Sequence, residues 1–147
     1  MTIGGNIQHP TVHNRNTSIS SPCDTKYYNM WDAQQTSNTN AAAATVKTVY
    51  DPCPPGFCVP TNGLYIYIKS QTEYAYAFNN GCTYNGVFFP ASGYRSYNSD
   101  NLAQVGTNGY YWSATRSSSN TFYFGSKNWA LGDSYRASGY PVRAVAE

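Results

Sequence analysis

Residues 109–140 read GYYWSATRSSSNTFYFGSKNWALGDSYRASGY, and two of the strands predicted for this chain, Tyr110–Ala114 and Thr121–Phe124, lie in this stretch. Successive side chains of a β-strand point to opposite faces of the sheet. In Thr121–Phe124 this alternation predicts that Phe122 and Phe124 point into the core and that Tyr123 points outward. The same pattern would describe an ordinary half-buried strand. The hypothesis that Tyr123 contacts a ligand rests on its aromatic, Ser and Asn neighbours.

This stretch is rich in Tyr, Ser, Asn and Gly, the residue types that dominate antibody recognition loops. Tyr and Trp give a large contact area for little lost side-chain entropy, while Ser, Asn and Gly give adaptable hydrogen bonds. The loop at 94–101, YRSYNSDN, has the same composition. We therefore predict that the ligand is contacted by Tyr97, Tyr110, Arg116, Ser118, Tyr123, Ser126, Trp129, Asp133, Ser134 and Tyr135.

Three of these positions also have a plain structural interpretation. Tyr97 would equally well pack its loop against the domain. Tyr110 shares its face with Trp112 in an ideal strand, which argues against exposure. Arg116 would equally well be a solvated loop charge, because exposed charges usually contribute little to stability.

Composition predicts one folded domain and argues against several classes of partner. The chain has 147 residues, of which 11% are charged and 16% are aromatic, a balance opposite to that of disordered chains. The net charge is only +2 and the basic residues are scattered, so nucleic acid is not an expected partner. The sequence contains no apolar run of about 20 residues, and membrane insertion is not expected.

The same survey predicts neither a metal site nor a catalytic centre. Cys53 and Cys58 have four residues between them, which is not the spacing of a zinc site or a redox pair. With Cys23 and Cys82 they leave two possibilities open, namely one or two structural disulfides or buried free thiols. The chain has no nucleophile–base motif, paired carboxylates or phosphate loop, so no enzyme activity and no cofactor are predicted.

Local patterns predict a domain of the α+β class, or mostly β, with short antiparallel strands, one or two short helices and much loop. The Pro-rich residues 51–60 are expected to lack regular structure, and 90–108 to form one long loop. Residues 61–69 are ambiguous, since LYIYIK has strand propensity while Leu64, Tyr65 and Ile68 would share one helical face. Strands are predicted at Thr45–Tyr50, Glu73–Phe78, Gly86–Phe89, Tyr110–Ala114, Thr121–Phe124 and Tyr140–Val145.

Six short segments together resemble a known family. They are WD at 31–32, VKTVYDPCPPGF at 46–57, VPT at 59–61, FPASGYR at 89–95, GYYWSAT at 109–115 and RASGYPVRAV at 136–145. Over residues 29–147 the chain resembles the Fibrobacter-succinogenes-major-paralogous type of domain, found in surface proteins of gut Bacteroidales. The resemblance implies a C-type-lectin-like fold, related to formylglycine-generating-enzyme-type domains, in a single domain over 1–147.

The resemblance also refines individual segments. It implies a helix at Thr61–Lys69, a polar N-terminal segment at 1–28 and a variable region at 109–143. Trp112 belongs to the scaffold of this pattern, and so large an apolar ring is expected to be buried. Arg143 lies in an otherwise apolar strand and is expected to be a structural residue paired with Asp32 or Asp51.

Some members of this group are variable proteins of diversity-generating retroelements, in which adenines of a C-terminal region are randomised. Randomised AAC codons yield residues such as Asn, Tyr, Ser and Asp, which are frequent at 116–135, although Lys127 and Trp129 cannot arise that way. The resemblance implies a hypervariable ligand-binding protein that recognises a protein or a surface glycan. It would be displayed on a bacterial cell surface, with an export signal outside this chain, or on a phage virion.

Two alternatives remain on the sequence alone. One is a carbohydrate-binding adhesin or fimbrial-tip lectin-like module of fixed sequence, and the other is a structural domain without a ligand. Asp100 and Asp133 do not make a calcium-dependent lectin, because the sugar-binding tripeptides of those lectins are absent and calcium needs several convergent oxygens.

Overall fold

Short antiparallel strands and one helix make up the part of the domain that the structure describes. A computed structural model describes residues 31–34, 45–70, 80–84, 86–99, 101–115, 121–125, 129–132, 134 and 138–147. The helix α1 is Asn62–Ser70. The strands are β1 Phe57–Cys58, β2 Gly81–Tyr84, β3 Val87–Pro90, β4 Tyr94–Arg95, β5 Leu102–Ala103, β6 Gly109–Trp112, β7 Thr121–Phe124, β8 Trp129–Gly132 and β9 Val145–Ala146.

These strands pair into one three-stranded sheet, β6–β7–β8, and three two-stranded pairs, β1–β9, β2–β3 and β4–β5. All of these pairings are antiparallel. The predicted class, α+β with short antiparallel strands and one or two short helices, is therefore confirmed for the described residues, which contain one short helix. The pairing of β1 with β9 joins the Pro-rich turn before the helix to the last strand.

The three-stranded sheet has two faces of opposite character. Tyr111 pairs with Phe122, and Phe122 pairs with Leu131, so these side chains share the inner face. Tyr110 pairs with Tyr123 on the outer face. Phe122 and Phe124 are buried and Tyr123 is only half-buried. The alternation predicted from TFYF is confirmed.

The inner face forms an aromatic core. Tyr65 of α1 stacks on Phe122 with 4.7 Å between ring centroids, and Tyr84 stacks on Trp129 at 4.6 Å. Offset and edge-to-face ring pairs of this kind add to the stabilisation from apolar burial. The buried members of this core are Tyr65, Tyr84, Phe89, Ala91, Tyr111, Phe122, Phe124 and Trp129.

Trp129 was expected to contact the ligand, and that expectation is wrong. Its side chain is only 8% exposed, and its ring packs on Tyr84 and edge-on against Phe122. The reason is register, since Trp129 pairs with Phe124 and so lies on the inner face of the sheet. No strand was predicted at 129–132, and without the strand its inward direction was not visible.

The ambiguous segment 61–69 is helical, as the family resemblance implied. The first amide of the helix, that of Asn62, donates to the Thr115 hydroxyl at 2.9 Å, and this hydroxyl donates to Asn62 Oδ1 at 2.9 Å. This pairing satisfies a donor that a helix N-terminus otherwise leaves free. The strand propensity of LYIYIK is overridden because Tyr65 and Ile68 pack on the core from one helical face.

Other local predictions differ from the structure. Instead of a strand at 45–50, Lys47 makes an isolated bridge to Asp32, after which the chain turns. The Pro-rich segment contains β1, the loop 90–108 contains β4 and β5, and strand β2 was not predicted. The last predicted strand shrinks to Val145–Ala146. The predicted strand at 73–78 lies outside the described residues.

The partner predicted for Arg143 is also wrong. Asp51 pairs instead with Lys47, whose Nζ lies 2.9 Å from Asp51 Oδ1. Asp32 is buried and accepts the amides of Gln34 and Val46 at 3.1 and 2.9 Å. Arg143 donates to the Phe88 carbonyl at 3.3 Å, and its guanidinium lies 5.2 Å from the centroid of the Phe89 ring.

Candidate ligand-binding surface

Four tyrosines meet on the outer side of the three-stranded sheet, and we call this surface the tyrosine face. Each of them is half-buried, so part of every ring faces solvent. They come from three strands and from the segment before β9. The members are Tyr94 in β4, Tyr110 in β6, Tyr123 in β7 and Tyr140.

Tyr110 lies at the centre of the tyrosine face. Its ring is nearly parallel to those of Tyr123 and Tyr140, at centroid distances of 6.0 and 5.2 Å. Tyr94 stands edge-on to Tyr110 at 4.9 Å and to Tyr140 at 5.4 Å. Because each ring is in contact with at least one other, the side chains hold one another in place and lose little further freedom on binding.

Trp112 supports this surface from below. Its ring lies 4.7 Å from that of Tyr140, and its own side chain is 9% exposed. The predicted burial of Trp112 is thus confirmed. It is buried on the outer face, because it alternates with Tyr111, and Tyr140 covers it.

Backbone hydrogen bonds explain why Tyr140 reaches the sheet. Arg95 and Gly139 exchange two hydrogen bonds, of 3.0 and 2.9 Å, and the Trp112 amide donates to the Pro141 carbonyl at 3.1 Å. The segment around Tyr140 is therefore fixed to β4 on one side and to β6 on the other. Tertiary contacts, rather than a strand of its own, position this tyrosine.

Polar groups at the edge of the tyrosine face bind the ring hydroxyls. The Tyr110 hydroxyl donates to Gln104 Oε1, and the Ser134 and Tyr140 hydroxyls are hydrogen-bonded to each other. Burial raises the pKa of Tyr110, and the neighbouring Tyr140 and Tyr94 raise it further, which outweighs a hydrogen bond from Asn108. At neutral pH the hydroxyl of Tyr110 is therefore protonated and able to donate.

The tyrosine face contains two of the predicted contacts, Tyr110 and Tyr123, and a third, Ser134, lies at its edge, bound to Tyr140. Tyr97 is half-buried in the connection between β4 and β5. Trp129 belongs to the core, as described above. The remaining predicted contacts, which lie outside the described residues, are Arg116, Ser118, Ser126, Asp133 and Tyr135.

Two central members of the surface, Tyr94 and Tyr140, were not predicted. The sequence does carry a signal for them, because the tetrapeptide ASGY occurs twice, at 91–94 and at 137–140. The structure places the final tyrosine of each copy in contact with the other. Gln104 gave no sequence signal, and the positive φ of 58° at this residue belongs to the turn that presents its side chain.

The described residues offer little for other chemistries. Among them, no three His, Cys, Asp or Glu side chains converge as a metal site would require. The helix that the structure describes is neither long nor apolar enough to cross a membrane. Aromatic and hydroxyl contact is what this surface provides.

Comparison with known proteins gives one match. Residues 66–145 match the model of a Domain of unknown function (DUF8237). The matched region begins inside α1 and ends in β9, so it contains all four residues of the tyrosine face. Neither a curated protein nor a solved structure matches the chain.

Proposed function

The chain belongs to the DUF8237 family, and we propose that its tyrosine face is a binding surface for a protein ligand. One observation carries the proposal, namely that four half-exposed tyrosines contact one another on the outer side of a sheet whose inner side is the core. The domain performs no chemical step, and it engages neither nucleic acid nor the membrane interior.

The chemistry of Tyr supports this role. Each ring offers apolar area together with a hydroxyl that donates and accepts, and aromatic residues dominate the energetics of protein interfaces. The rings of the tyrosine face are already packed, so binding costs less conformational entropy than it would for free side chains. Gln104 and Ser134, bound to ring hydroxyls, add polar groups at the rim.

We further propose that the domain is a C-type-lectin-like variable protein diversified by a retroelement. Supporting this, the Ser-rich residues 116–120 lie between the strands that carry Tyr110 and Tyr123, and residues 126–128 follow the strand of Tyr123 in the sequence. The scaffold residues that stay unchanged while their neighbours vary would then be Trp112, Phe122 and Phe124. Such a protein would act at a bacterial cell surface or on a phage virion.

The coding DNA tests the diversification directly. We expect to find a neighbouring reverse-transcriptase gene and an imperfect repeat that differs from the 3′ region only at adenines. A gene with neither feature would refute diversification while leaving the binding surface intact.

Binding is tested with the purified domain and two variants. Biotinylated parent protein, Tyr110→Ser/Tyr123→Ser and the control Tyr50→Ser are compared for capture of surface proteins from intestinal bacteria. Tyr50 is 68% exposed and lies outside the tyrosine face, so the control removes an exposed tyrosine elsewhere. We expect the double variant to lose at least about 30-fold in affinity for a captured protein, since a hot-spot residue contributes about 2 kcal/mol or more.

A glycan array separates the two ligand classes. Aromatic rings also stack on sugars, so a fixed-sequence adhesin that binds carbohydrate is the second candidate. Array signals that vanish in the double variant, without any protein capture, would establish the glycan ligand in place of the protein. If the double variant and the control captured protein equally well, the tyrosine face would not be the binding surface.

A further inference from the structure

We propose that Cys53 and Cys58 form a dithiol that closes to a disulfide across the turn between them. Both are free thiols in the structure, and both are buried, at 9% and 4% exposed. They precede α1 in the chain, whereas all four residues of the tyrosine face follow it.

The turn places the two residues opposite each other. Residues 54–57, Pro-Pro-Gly-Phe, separate the cysteines, and the Phe57 amide donates to the Pro54 carbonyl at 3.1 Å. Pro at the second position and Gly56, with φ of 78°, at the third are the combination of a type II turn. The turn reverses the direction of the chain, so Cys53 and Cys58 stand directly before and directly after it, one on each arm. A disulfide between the two arms requires a separation of about 4.4–6.8 Å between the Cα atoms of the two cysteines.

Lys47 holds the two arms of the turn together. Its ammonium donates to the Cys53 carbonyl at 2.6 Å and to the Phe57 carbonyl at 2.7 Å. The Phe57 carbonyl belongs to the peptide group of Cys58. The two cysteine backbones therefore share one ligand and cannot drift apart while Lys47 is bound.

Asp51 provides a second connection between the arms. One carboxylate oxygen accepts the Cys53 amide at 2.7 Å, and the other accepts the Val59 amide, next to Cys58, at 2.9 Å. Two independent groups, an ammonium and a carboxylate, thus fix both sides of the turn.

The local environment keeps the pair reduced until an oxidant arrives. Burial, the hydrogen bond to Asp51 and the charge of Asp51 raise the pKa of Cys53 to about 11, and burial raises the pKa of Cys58. Thiolate is the reactive form, so closure is slow at neutral pH without a catalyst or an added disulfide. A domain of this kind would remain reduced in the cytosol and close in an oxidising compartment.

The reaction is a thiol–disulfide exchange with a low-molecular-weight disulfide, for example oxidised glutathione. The Cys53 sulfur attacks one sulfur of that disulfide, and a first thiol leaves. The Cys58 sulfur then attacks the Cys53 sulfur of the mixed disulfide, and a second thiol leaves. The protein loses two protons and two electrons, and the small disulfide takes up both and is reduced to two thiols.

Mass spectrometry tests this on the full chain. The protein is incubated with oxidised glutathione, quenched with iodoacetamide and digested with chymotrypsin, which cleaves after the exposed Phe57 between the two cysteines. We expect the peptides that contain Cys53 and Cys58 to remain joined and to separate on reduction. We also expect the oxidised form to melt higher by about 5 °C, because the closed loop restricts the unfolded chain.

Controls keep the outcome decisive. The Cys82→Ser variant retains the pair and should close as the parent does, whereas Cys58→Ser should only accumulate a mixed disulfide. Linkage of Cys53 or Cys58 to Cys23 or Cys82 would overturn the proposal. So would a parent protein that unfolds normally and yet leaves both cysteines free for alkylation, or capped by glutathione, after oxidation.

Discussion

The ring of Tyr123 lies directly against Gly132, so that a Cβ added to Gly132 would come within 3.0 Å of the ring atom Cε1. Tyr123 pairs with Ala130, which lies two positions before Gly132 in β8. Tyr123 and Gly132 are therefore diagonal neighbours on the outer face. The absence of a side chain at Gly132 thus sets where the Tyr123 ring rests. Gly132, which has no side chain, therefore helps to position one ring of the tyrosine face.

Gly132→Val is therefore expected to weaken binding more than folding. The two added methyl groups would push the half-exposed Tyr123 ring off its site, while the core on the inner face is untouched. We expect a loss in affinity of about tenfold, equal to about 1.4 kcal/mol, and a change in the free energy of unfolding of about 1 kcal/mol or less. Surface plasmon resonance and urea denaturation measure the two effects, with Ala146→Val on the exposed last strand as control. Equal affinity of the two variants would contradict the assigned role of Tyr123.

A side chain added at Gly109, on the inner face, should instead reduce stability more than binding. A Cβ at Gly109 would lie 2.1 Å from Cζ of Phe124, a ring that is completely buried and cannot move aside. Gly109→Ala is therefore expected to cost about 2–3 kcal/mol in the free energy of unfolding through overpacking. Urea denaturation measures this loss. A Gly109→Ala protein as stable as the parent would mean that Phe124 does not occupy the space over Gly109.

Lys47→Met is expected to destabilise the domain by about 3 kcal/mol. The Asp51 side chain has no solvent exposure, and without Lys47 its charge would be left buried without a cation. The carbonyls of Cys53 and Phe57 would lose their donor as well. The double variant Lys47→Met/Asp51→Asn should lose less unfolding free energy than the sum of the losses in the two single variants. In the double variant, neither charge is left without its partner. Chemical denaturation of all four proteins gives the coupling, and strict additivity would refute it.

Acid should weaken the domain through Asp51. Burial alone would raise the pKa of this carboxyl, but hydrogen bonds from the Val59 amide, the Lys47 ammonium and the Cys53 amide outweigh burial and lower it. A carboxyl whose pKa is lower in the folded state stabilises the protein above its unfolded pKa, near 3.8, and this contribution is lost as the pH falls through the folded pKa. The difference in unfolding free energy between the parent and Asp51→Asn should therefore be largest at neutral pH. It should shrink below about pH 4, and a difference that does not change with pH would exclude this role.

Much of the fold follows from local sequence. Strand β7 and the directions of its side chains follow from the alternation in TFYF, because a strand has a period of two. The family pattern predicts the burial of Trp112 and a helix at Thr61–Lys69, and the structure has this helix at Asn62–Ser70. The propensity of LYIYIK alone favours a strand, and packing of one helical face on the core reverses that preference.

Long-range pairing decides the rest. Trp129 follows the polar residues Ser126–Asn128 in a Tyr-, Ser- and Asn-rich stretch, and only its pairing with Phe124 shows that it points to the core. Lys47, rather than Arg143, is the partner of Asp51, because the turn after Lys47 brings its ammonium to that carboxylate. A sequence pattern reports the character of a residue but not which other residue of opposite charge will be near it.

Composition and strand period are local properties, and from them alone the chain could be predicted to be a mostly β domain with a Tyr-, Ser- and Asn-rich segment near its end. Which tyrosines come together depends on long-range contacts. Tyr94 and Tyr140 are 46 positions apart in the chain, and no local rule relates them. They meet because the backbone pairing of Arg95 with Gly139 places both rings against Tyr110.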